Sequence, residues 1–567
     1  LQCLYTSDYE FYKARNPSRT LGTCEWIFKH EKFLNWQLEQ KSSLLWISGD
    51  PGCGKSVLAS FLVEELRTPA HQSVLPAIVL HFFFKDDNDN QKNAVVAICA
   101  LLHQLCSNRS SLVSYAMEDF IKKGKTFTEE FDTLWKIFLL GIKELDTNLI
   151  CVIDGLDECE EATREKLIDC LTILYSQDKR GHSVQSFVKF LLTSRPYGSI
   201  ERRLDSLPNI RLKAEDQTVA ISQDVERVVK SRLEQICKTR EFGDGVRASL
   251  EERLIGGADR TFIWVSLILQ MIENSARKSK AALDNLITSI PETLDAVYEN
   301  ILRKSSHHDD AKKILHLVLA ATRPLSLKEM NVAFVMKLDD ASYKDIDLEP
   351  SIGSTIKDLC GLFVKVIESK IYLVHQTARE FLIRSSNDVP NSTDQRRWKY
   401  SLNPIEGHLL LANICTSYLL LPEFDQDIVR PHDRYSHRKT MSLQLQKFAE
   451  AYDFLEYASK NWATHFRVSQ LEGESDLIGR VSSLYNTMCH RFDIWFGLYW
   501  QDLNNFPMGW SDFIPLQAAA NSGNKRVAQL LVEKGADLKA QGGNYGTILQ
   551  AAAAGGDVGM VQWVLEE

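Results

Sequence analysis

Leu44-Leu45-Trp46-Ile47-Ser48-Gly49-Asp50-Pro51-Gly52-Cys53-Gly54-Lys55-Ser56-Val57 is the stretch from which the rest of the chain can be read. Leu44–Ser48 is an apolar run of strand length, and Val57–Leu66 follows with helical spacing. Between them, Gly49–Ser56 satisfies G-x-x-x-x-G-K-[ST] in full. Gly49, Gly52 and Gly54 let the backbone curl without Cβ clashes, so its N–H groups can face phosphate oxygens. A helix beginning near Lys55 adds the positive end of its dipole. Lys55 is then expected to reach the β- and γ-phosphates of a nucleotide, and the Ser56 hydroxyl to ligate Mg²⁺. Gly49, Asp50, Pro51, Gly52, Cys53, Gly54, Lys55, Ser56 and Val57 make up the expected nucleotide-binding stretch. A plain glycine-rich turn is the alternative, and the strand before and helix after weigh against it.

Two more strand ends carry chemistry. Leu149-Ile150-Cys151-Val152-Ile153-Asp154 is an apolar run closed by a carboxylate, placed where a central strand meets the ligand edge of a parallel sheet. Asp154 is expected to support Mg²⁺, and Asp157 and Glu158 just beyond it to polarise an attacking water. Read alone, Asp157–Glu161 is equally a solvated acidic loop. Phe187–Thr193 is a further apolar run, followed by Ser194, Arg195 and Pro196. Arg195 there would sense a γ-phosphate as a fixed, fork-shaped cation, whereas an isolated strand-end Arg is usually a surface charge. Ala77–Phe84 and Asn209–Leu212 complete five expected strands, with Val57–Leu66, Ala94–Cys106 and Arg164–Leu174 among the helices between them. Strands alternating with helices imply parallel pairing and an α/β domain ending near residue 215.

Composition sets the frame for the remainder. The chain has 567 residues, which at ~150 residues per domain suggests about four domains. It is 44% hydrophobic and 25% charged with a net charge of −9, an ordinary globular composition and a poor one for bulk binding of a phosphate backbone. Twelve scattered Cys with no C-x-x-C pair fit reduced thiols in a cytoplasmic protein. The longest apolar stretch, Phe262–Ile272, is too short to span a bilayer and reads as a buried helix, so no membrane is expected in this segment. His307-His308-Asp309-Asp310 lacks partners at ligand spacing and reads as an exposed linker. From about residue 216 onward the pattern is helical, except for a strand pair at Leu362–Ile367 and Lys370–Val374 joined by Glu368-Ser369. Pro515–Ala520 recurs as Ile548–Ala553, and Gly523/Gly556, Val527/Met560 and Leu530/Trp563 keep the same offset, the period of an ankyrin array. Glu533-Lys534-Gly535-Ala536-Asp537 fits the turn after the second helix. A chain that starts at Leu1 and stops in a repeat is expected to be a fragment of a longer array.

Together, the glycine-rich loop, Asp154–Glu158 and Thr193–Pro196 resemble the NACHT domain of STAND NTPases, and most of all the fungal NACHT–ankyrin branch of NOD-like receptors. Nephrocystin-type NACHT domains share the first part. Gly22-Thr23-Cys24-Glu25-Trp26, Phe262–Val265, Ile290–Tyr298, Arg323–Leu327, Leu373–Leu382, Phe454–Tyr457 and Trp462–His465 match successive segments of that branch. The resemblance implies ATP or ADP with Mg²⁺, with Thr23 and its neighbours near the adenine and Arg195 sensing the nucleotide state. It also implies that His375, on the winged helix, touches the ADP β-phosphate; without the resemblance, a lone His between apolar residues reads as a core side chain. Plant relatives place a Pro against adenine, and Thr261–Trp264 has none.

The architecture expected is an α/β P-loop NTPase with a five-stranded parallel sheet, followed by a helical domain, a winged helix, a helical region and ankyrin repeats. The expected boundaries are an N-terminal linker at 1–21, the NTPase domain at 22–215, a helical domain at 216–303, a winged helix at 304–390, a helical linker domain at 391–508 and repeats at 509–567. The function implied is a slow ATPase switch that senses a protein or other ligand on its repeats and self-associates on activation, as in fungal nonself recognition or regulated cell death, with no nucleic acid involved. The rivals are an ankyrin scaffold whose NTPase core is only structural, and a processive motor, for which neither a trans arginine finger nor a substrate pore can be pointed out.

Overall fold

The computed structural model describes residues 1–177, 186–204, 207–212, 215–256, 261–275, 288–305, 307–383, 397–428, 438–469, 476–486, 488–501, 515–533, 535–541 and 546–567. Lys534 and the expected boundaries at 390/391 and 508/509 lie outside them. The chain divides into two compact units, Leu1–Asn300 with His375–Thr377, and Ile301–Val374 with Ala378–Glu567.

In the first unit, β1 (Ser43–Ser48), β2 (Ala77–Phe83), β3 (Asn148–Asp154), β4 (Val188–Ser194) and β5 (Asn209–Arg211) form one sheet in the order β2-β3-β4-β1-β5. Every pairing is parallel, as expected. The three central strands are buried along almost their whole length, which is why they read as unbroken apolar runs. Register is level from Ser43↔Lys189 to Ser48↔Ser194 and from Leu149↔Val188 to Ile153↔Leu192. The crossovers include helices Lys55–Glu65, Ala94–Asn108, Phe131–Lys143 and Glu161–Gln177. Asn93 caps the second of these by accepting the Val95 N–H at 2.8 Å. Its Ala97, Ile98, Leu101, Leu102 and Leu105 enter the core, each large side chain contributing about 1.5–3 kcal/mol.

Within residues 1–21, read from sequence as a linker, Leu4, Tyr9 and Tyr12 are buried in this unit. Leu4 and Tyr9 join the core, and the helix Tyr9–Ala14 lies against the edge strand β2. On β4, Lys189 is buried and its Nζ donates to three carbonyls, Trp36 (2.6 Å), Glu39 (2.7 Å) and Lys41 (3.2 Å). That cage pins the segment entering β1 to the start of β4. Beyond β5 come helices Glu215–Arg240, Asp244–Ile255 and Phe262–Glu273. The last is apolar on most sides and correspondingly buried at Trp264, Val265, Leu267, Ile268, Leu269 and Ile272.

The second unit holds helices His308–Ala320, Leu327–Val335 and Ile352–Cys360 with the antiparallel hairpin β6 (Val364–Ile367) and β7 (Lys370–Leu373), a winged helix. Glu368 and Ser369 make the expected two-residue turn, with φ of +47° and +61°. Ser326 and Glu329 form a capping box at the start of Leu327–Val335, and Arg323 grips the same Glu329 at 2.7 and 3.0 Å. His307, Asp309 and Asp310 are exposed as expected, but the stretch is not a linker. His308, Asp309 and Asp310 form the first turn of a helix, and His308 packs on Trp398 at 5.6 Å. Acidic residues are stabilising at a helix N-terminus, which accounts for the pattern without a metal.

Helices Pro404–Leu419 and Leu455–Val468 pack together farther on, and the ankyrin helices Pro515–Asn521, Lys525–Glu533, Ile548–Gly555 and Val558–Glu566 follow. Gly523 and Gly556 both take left-handed φ, +67° and +71°, at equivalent turns of the repeat. All twelve cysteines are free thiols. Among the described residues, no helix is long and apolar enough to cross a membrane.

Lys189 offers a test of the sheet. Burial lowers its pKa to about 8. The unfolded chain then binds the extra proton between about pH 8 and the unfolded value near 10.4, so this group makes stability rise with pH across that window. Lys189→Met should remove that alkaline rise. It leaves the three carbonyls without their donor and is expected to cost at least ~2 kcal/mol at pH 7 in denaturant unfolding followed by tryptophan fluorescence.

Candidate functional site

The site lies where β3, β4 and β1 end side by side. The Gly49 N–H donates to Ser194 O at 3.1 Å and the Leu212 N–H to Ser48 O at 2.7 Å, so the loop leaves β1 fastened on both sides. Gly52 (φ +73°) and Gly54 (φ +91°) are left-handed, and Gly54 opens the helix Lys55–Glu65. A Cβ at Gly49 would fall 2.9 Å from both Cys53 Sγ and Leu212 Cβ. Lys55 Nζ donates to the carbonyls of Gly49 (2.7 Å) and Asp50 (3.0 Å), folding the cation over its own loop.

Sequence reasoning missed what covers this loop. The Phe262 N–H donates to Gly52 O at 2.9 Å. A Cβ at Gly52 would lie 2.4 Å from Ile263 Cγ2, and one at Gly54 3.1 Å from the Phe262 ring. The N-terminus of the helix Phe262–Glu273 therefore rests on the loop, with Thr261 accepting the Trp264 N–H as its cap. The available signal was a capping Thr followed by two large apolar residues, but nothing local says what they cover.

Asp154 is fully buried. Its Oδ1 accepts from Thr193 Oγ1 at 2.5 Å, and Thr193 Oγ1 in turn accepts the Gly155 N–H at 3.0 Å. Its Oδ2 is buried and, among the described residues, has no hydrogen-bond partner. A buried, unpaired carboxylate oxygen is costly unless a cation or water meets it. Carboxylate and hydroxyl oxygens, such as this one and that of Ser56 at the start of the loop helix, are of the kind Mg²⁺ takes.

Asp157 and Arg195 are bound to each other. Asp157 Oδ1 accepts the Arg195 N–H at 3.0 Å, and its Oδ2 lies 3.2 Å from Arg195 Nε, with side chains only 3% and 7% exposed. Arg195 Nη1 donates to the Tyr197 hydroxyl (2.9 Å) and Nη2 to Gln376 Oε1 (2.6 Å). Glu158 is held differently. Its Oε2 accepts the Asp86 N–H at 3.3 Å, and its Oε1 is 4.0 Å from Lys85 Nζ. Burial pushes the Glu158 pKa well above the usual carboxylate range, Lys85 opposes the rise, and Asp86, Asp157 and Asp154 add to it. A task that needs ionised Glu158 therefore gains from higher pH.

Two other expected residues are placed as follows. Thr23 is buried, and its hydroxyl donates to Thr20 O at 2.7 Å. Its neighbours are tied to the helix Glu215–Arg240: the Cys24 N–H donates to Asp224 Oδ2 (2.7 Å) and Arg227 Nη1 to Gly22 O (3.1 Å). His375 is half-buried, and its Nδ1 accepts the Thr377 N–H at 3.2 Å, capping the turn that follows. Thr377 Oγ1 is 2.8 Å from the Tyr298 hydroxyl.

Residues 22–195 match the family model of the nephrocystin 3 N-terminal domain, 221–286 a domain of unknown function, 298–392 the winged helix domain of GPI inositol-deacylase, and 516–565 ankyrin repeats. The chain is similar to the vegetative incompatibility protein HET-E-1 of Podospora anserina, 28% identical over 371 residues, which covers 64% of this chain and 26% of that one. It is also similar to the azaphilone pigments biosynthesis cluster protein L of Monascus ruber, 24% identical over 53% of this chain and 64% of the other. Among solved structures, the Aeropyrum pernix ORC2 protein in its ADPNP–ADP complexes is 14% identical with a TM-score of 0.30, covering 66% of this chain and 95% of that one. The Aeropyrum pernix ORC1 protein in complex with DNA is 15% identical with a TM-score of 0.27, covering 65% and 94%.

The contact between Gly52 and Ile263 can be tested directly. Gly52→Ala adds a left-handed strain of about 1–2 kcal/mol to a steric clash costing about 1–3 kcal/mol. Faster amide exchange at Phe262 is expected. Adding Ile263→Ala should relieve the clash but not the strain, so recovery should be partial.

Proposed function

This chain belongs to the NACHT–ankyrin family of P-loop NTPases, and from that premise we propose that it is a signalling switch operated by ATP and ADP, with slow hydrolysis as the reset. The observation that carries this reading is the convergence of three strand ends: the loop Gly49–Ser56 after β1, Asp154 at the end of β3, and Arg195 just past β4. A nucleotide's phosphates would compete with the Gly49 and Asp50 carbonyls for Lys55 Nζ. The loop's N–H groups and the helix that begins at Lys55 would complete an anion site. Mg²⁺ would be held by Ser56 and Asp154, and when bound it would neutralise charge on the β- and γ-phosphates.

The carboxylates then divide the work. Asp157 orients Arg195, whose guanidinium reads the γ-phosphate. Glu158 is left to direct the attacking water. An acid whose pKa is raised by burial ionises less readily, which fits slow turnover. His375 would add a contact to the ADP β-phosphate, and exchange to ATP must favour the open state for the switch to move. The ankyrin repeats would take a protein or other ligand, the active form would self-associate, and the output would belong to nonself recognition or regulated cell death in the cytoplasm.

Analysis of nucleotide released from the purified chain tests the switch, and ADP is the result expected. A chain that carries no nucleotide and binds none would favour the ankyrin scaffold with a structural core. Lys55→Ala removes the cation facing the phosphates and should weaken nucleotide affinity at least ~10-fold by calorimetry, since a charge-assisted contact is worth about 1.5–3 kcal/mol. Glu158→Gln should bind ATP as the wild type does and hydrolyse it ~10²-fold more slowly or worse. The wild-type rate should rise with pH above the ordinary carboxylate range, and the residual rate of the Gln variant should lose that dependence.

A further inference from the structure

The loop after β2 is gripped by two separate parts of the chain. Within it, the Lys85 N–H donates to Gln91 O at 3.2 Å, and the buried Gln91 returns its Nε2 to Phe83 O at 2.8 Å. On one side it holds the candidate catalytic carboxylate, through the Asp86 N–H to Glu158 Oε2 at 3.3 Å and Lys85 Nζ to Glu158 Oε1 at 4.0 Å. The Glu160 N–H fastens to Lys92 O at 2.7 Å beside it. On the other side it holds the N-terminal segment. Arg15 grips the Asp87 carboxylate through both terminal nitrogens, Nη1 to Oδ1 at 3.1 Å, with the Arg side chain only 7% exposed. The Tyr12 hydroxyl bonds Asn88, and Ser7 Oγ donates to Gln91 Oε1 at 2.5 Å. Two consecutive residues thus face Glu158, and the next faces Arg15.

We propose that the N-terminal segment Leu1–Arg15 governs hydrolysis through this loop, and that Arg15, by holding Asp87, is a positioning residue for Glu158. The inference rests on the reading above that Glu158 directs the attacking water. A two-toothed Arg–carboxylate pair fixes orientation as well as distance. Asp86 and Lys85 are the two residues before Asp87, so a shift of Asp87 is passed to the N–H and ammonium that aim the Glu158 carboxylate. Undocking the segment from the sheet edge would lower turnover while leaving the glycine-rich loop, and therefore nucleotide affinity, unchanged. The segment is then a control element for the reset of the switch.

The test uses the full chain with ATP and Mg²⁺. Arg15→Gln is expected to lower kcat ~10-fold with nucleotide affinity held within about 2-fold, because small misplacements of a water-directing group are costly. Exchange of the Asp86 amide should speed up in the same variant. Arg15→Lys keeps the charge but not the fork and should fall between, and the swap Arg15→Glu with Asp87→Arg should recover turnover. These two variants decide the matter if Arg15→Gln fails to fold. Wild-type turnover with an unchanged kcat in Arg15→Gln overturns the relay and leaves the hydrolytic reading standing. A wild-type chain that binds ATP and never hydrolyses it overturns the hydrolytic reading instead, and unchanged Asp86 exchange in Arg15→Gln would then overturn the coupling as well.

Discussion

The level ending of β3, β4 and β1 is the constraint on which the candidate site depends. Ser48 sits opposite Ser194, and Ile153 opposite Leu192, so the residues that follow emerge at one height on one edge. Because β4 lies between the other two, Thr193 meets Asp154 while the Ser194 carbonyl meets the Gly49 N–H. A slip of one residue would turn Thr193 to the opposite face of the sheet and break that contact. Burial of both faces keeps the three strands in the core, and the contacts at their ends fix the register. The Lys189 cage acts at the opposite end of β4, where it fixes the entry to β1.

Crowded carboxylates at this edge are kept apart in role by their partners. Asp154 is bonded by one hydroxyl and keeps an oxygen without a partner among the described residues. Asp157 is joined to Arg195 by both its oxygens. Glu158 has a distant ammonium and one backbone N–H, which leaves burial to dominate its ionisation. The same carboxylate group therefore has three different electrostatic settings within five positions. Which setting each obtains depends on β2 and β4 and on the segments that follow them, not on the acidic run itself.

Some of the remaining organisation is local. The turn at Glu368-Ser369, the capping box at Ser326 and Glu329 and the paired glycines of the repeats each arise from residues a few positions apart. Other parts are not. Buried Tyr457 and His465 and half-buried His408 form a chain, with Tyr457 Oη 2.8 Å from His465 Nε2 and His408 Nδ1 2.9 Å from His465 Nδ1. Burial and the neighbouring His408 lower the His465 pKa to about 3, which keeps that ring neutral. No pattern along the chain indicates that these three residues bond one another.

Read alone, the sequence determined the glycine-rich loop, the five strands to within a residue or two at their ends, the buried helix at Phe262, the hairpin and the repeat period. Each of these is written in residues that are neighbours along the chain, where backbone geometry and the periods of 2 and 3.6 act directly. Only the tertiary structure decided that Phe262 and Ile263 cover the loop, that Asp157 holds Arg195, that His308 begins a helix, and that Leu4, Tyr9 and Tyr12 are packed. Those outcomes depend on which strands lie side by side. Arg15 and Asp87 are 72 positions apart, and Asp157 and Arg195 are 38 apart. No local pattern encodes such a meeting, because it is the strand order β2-β3-β4-β1-β5 and the burial that enforces it which bring the partners together.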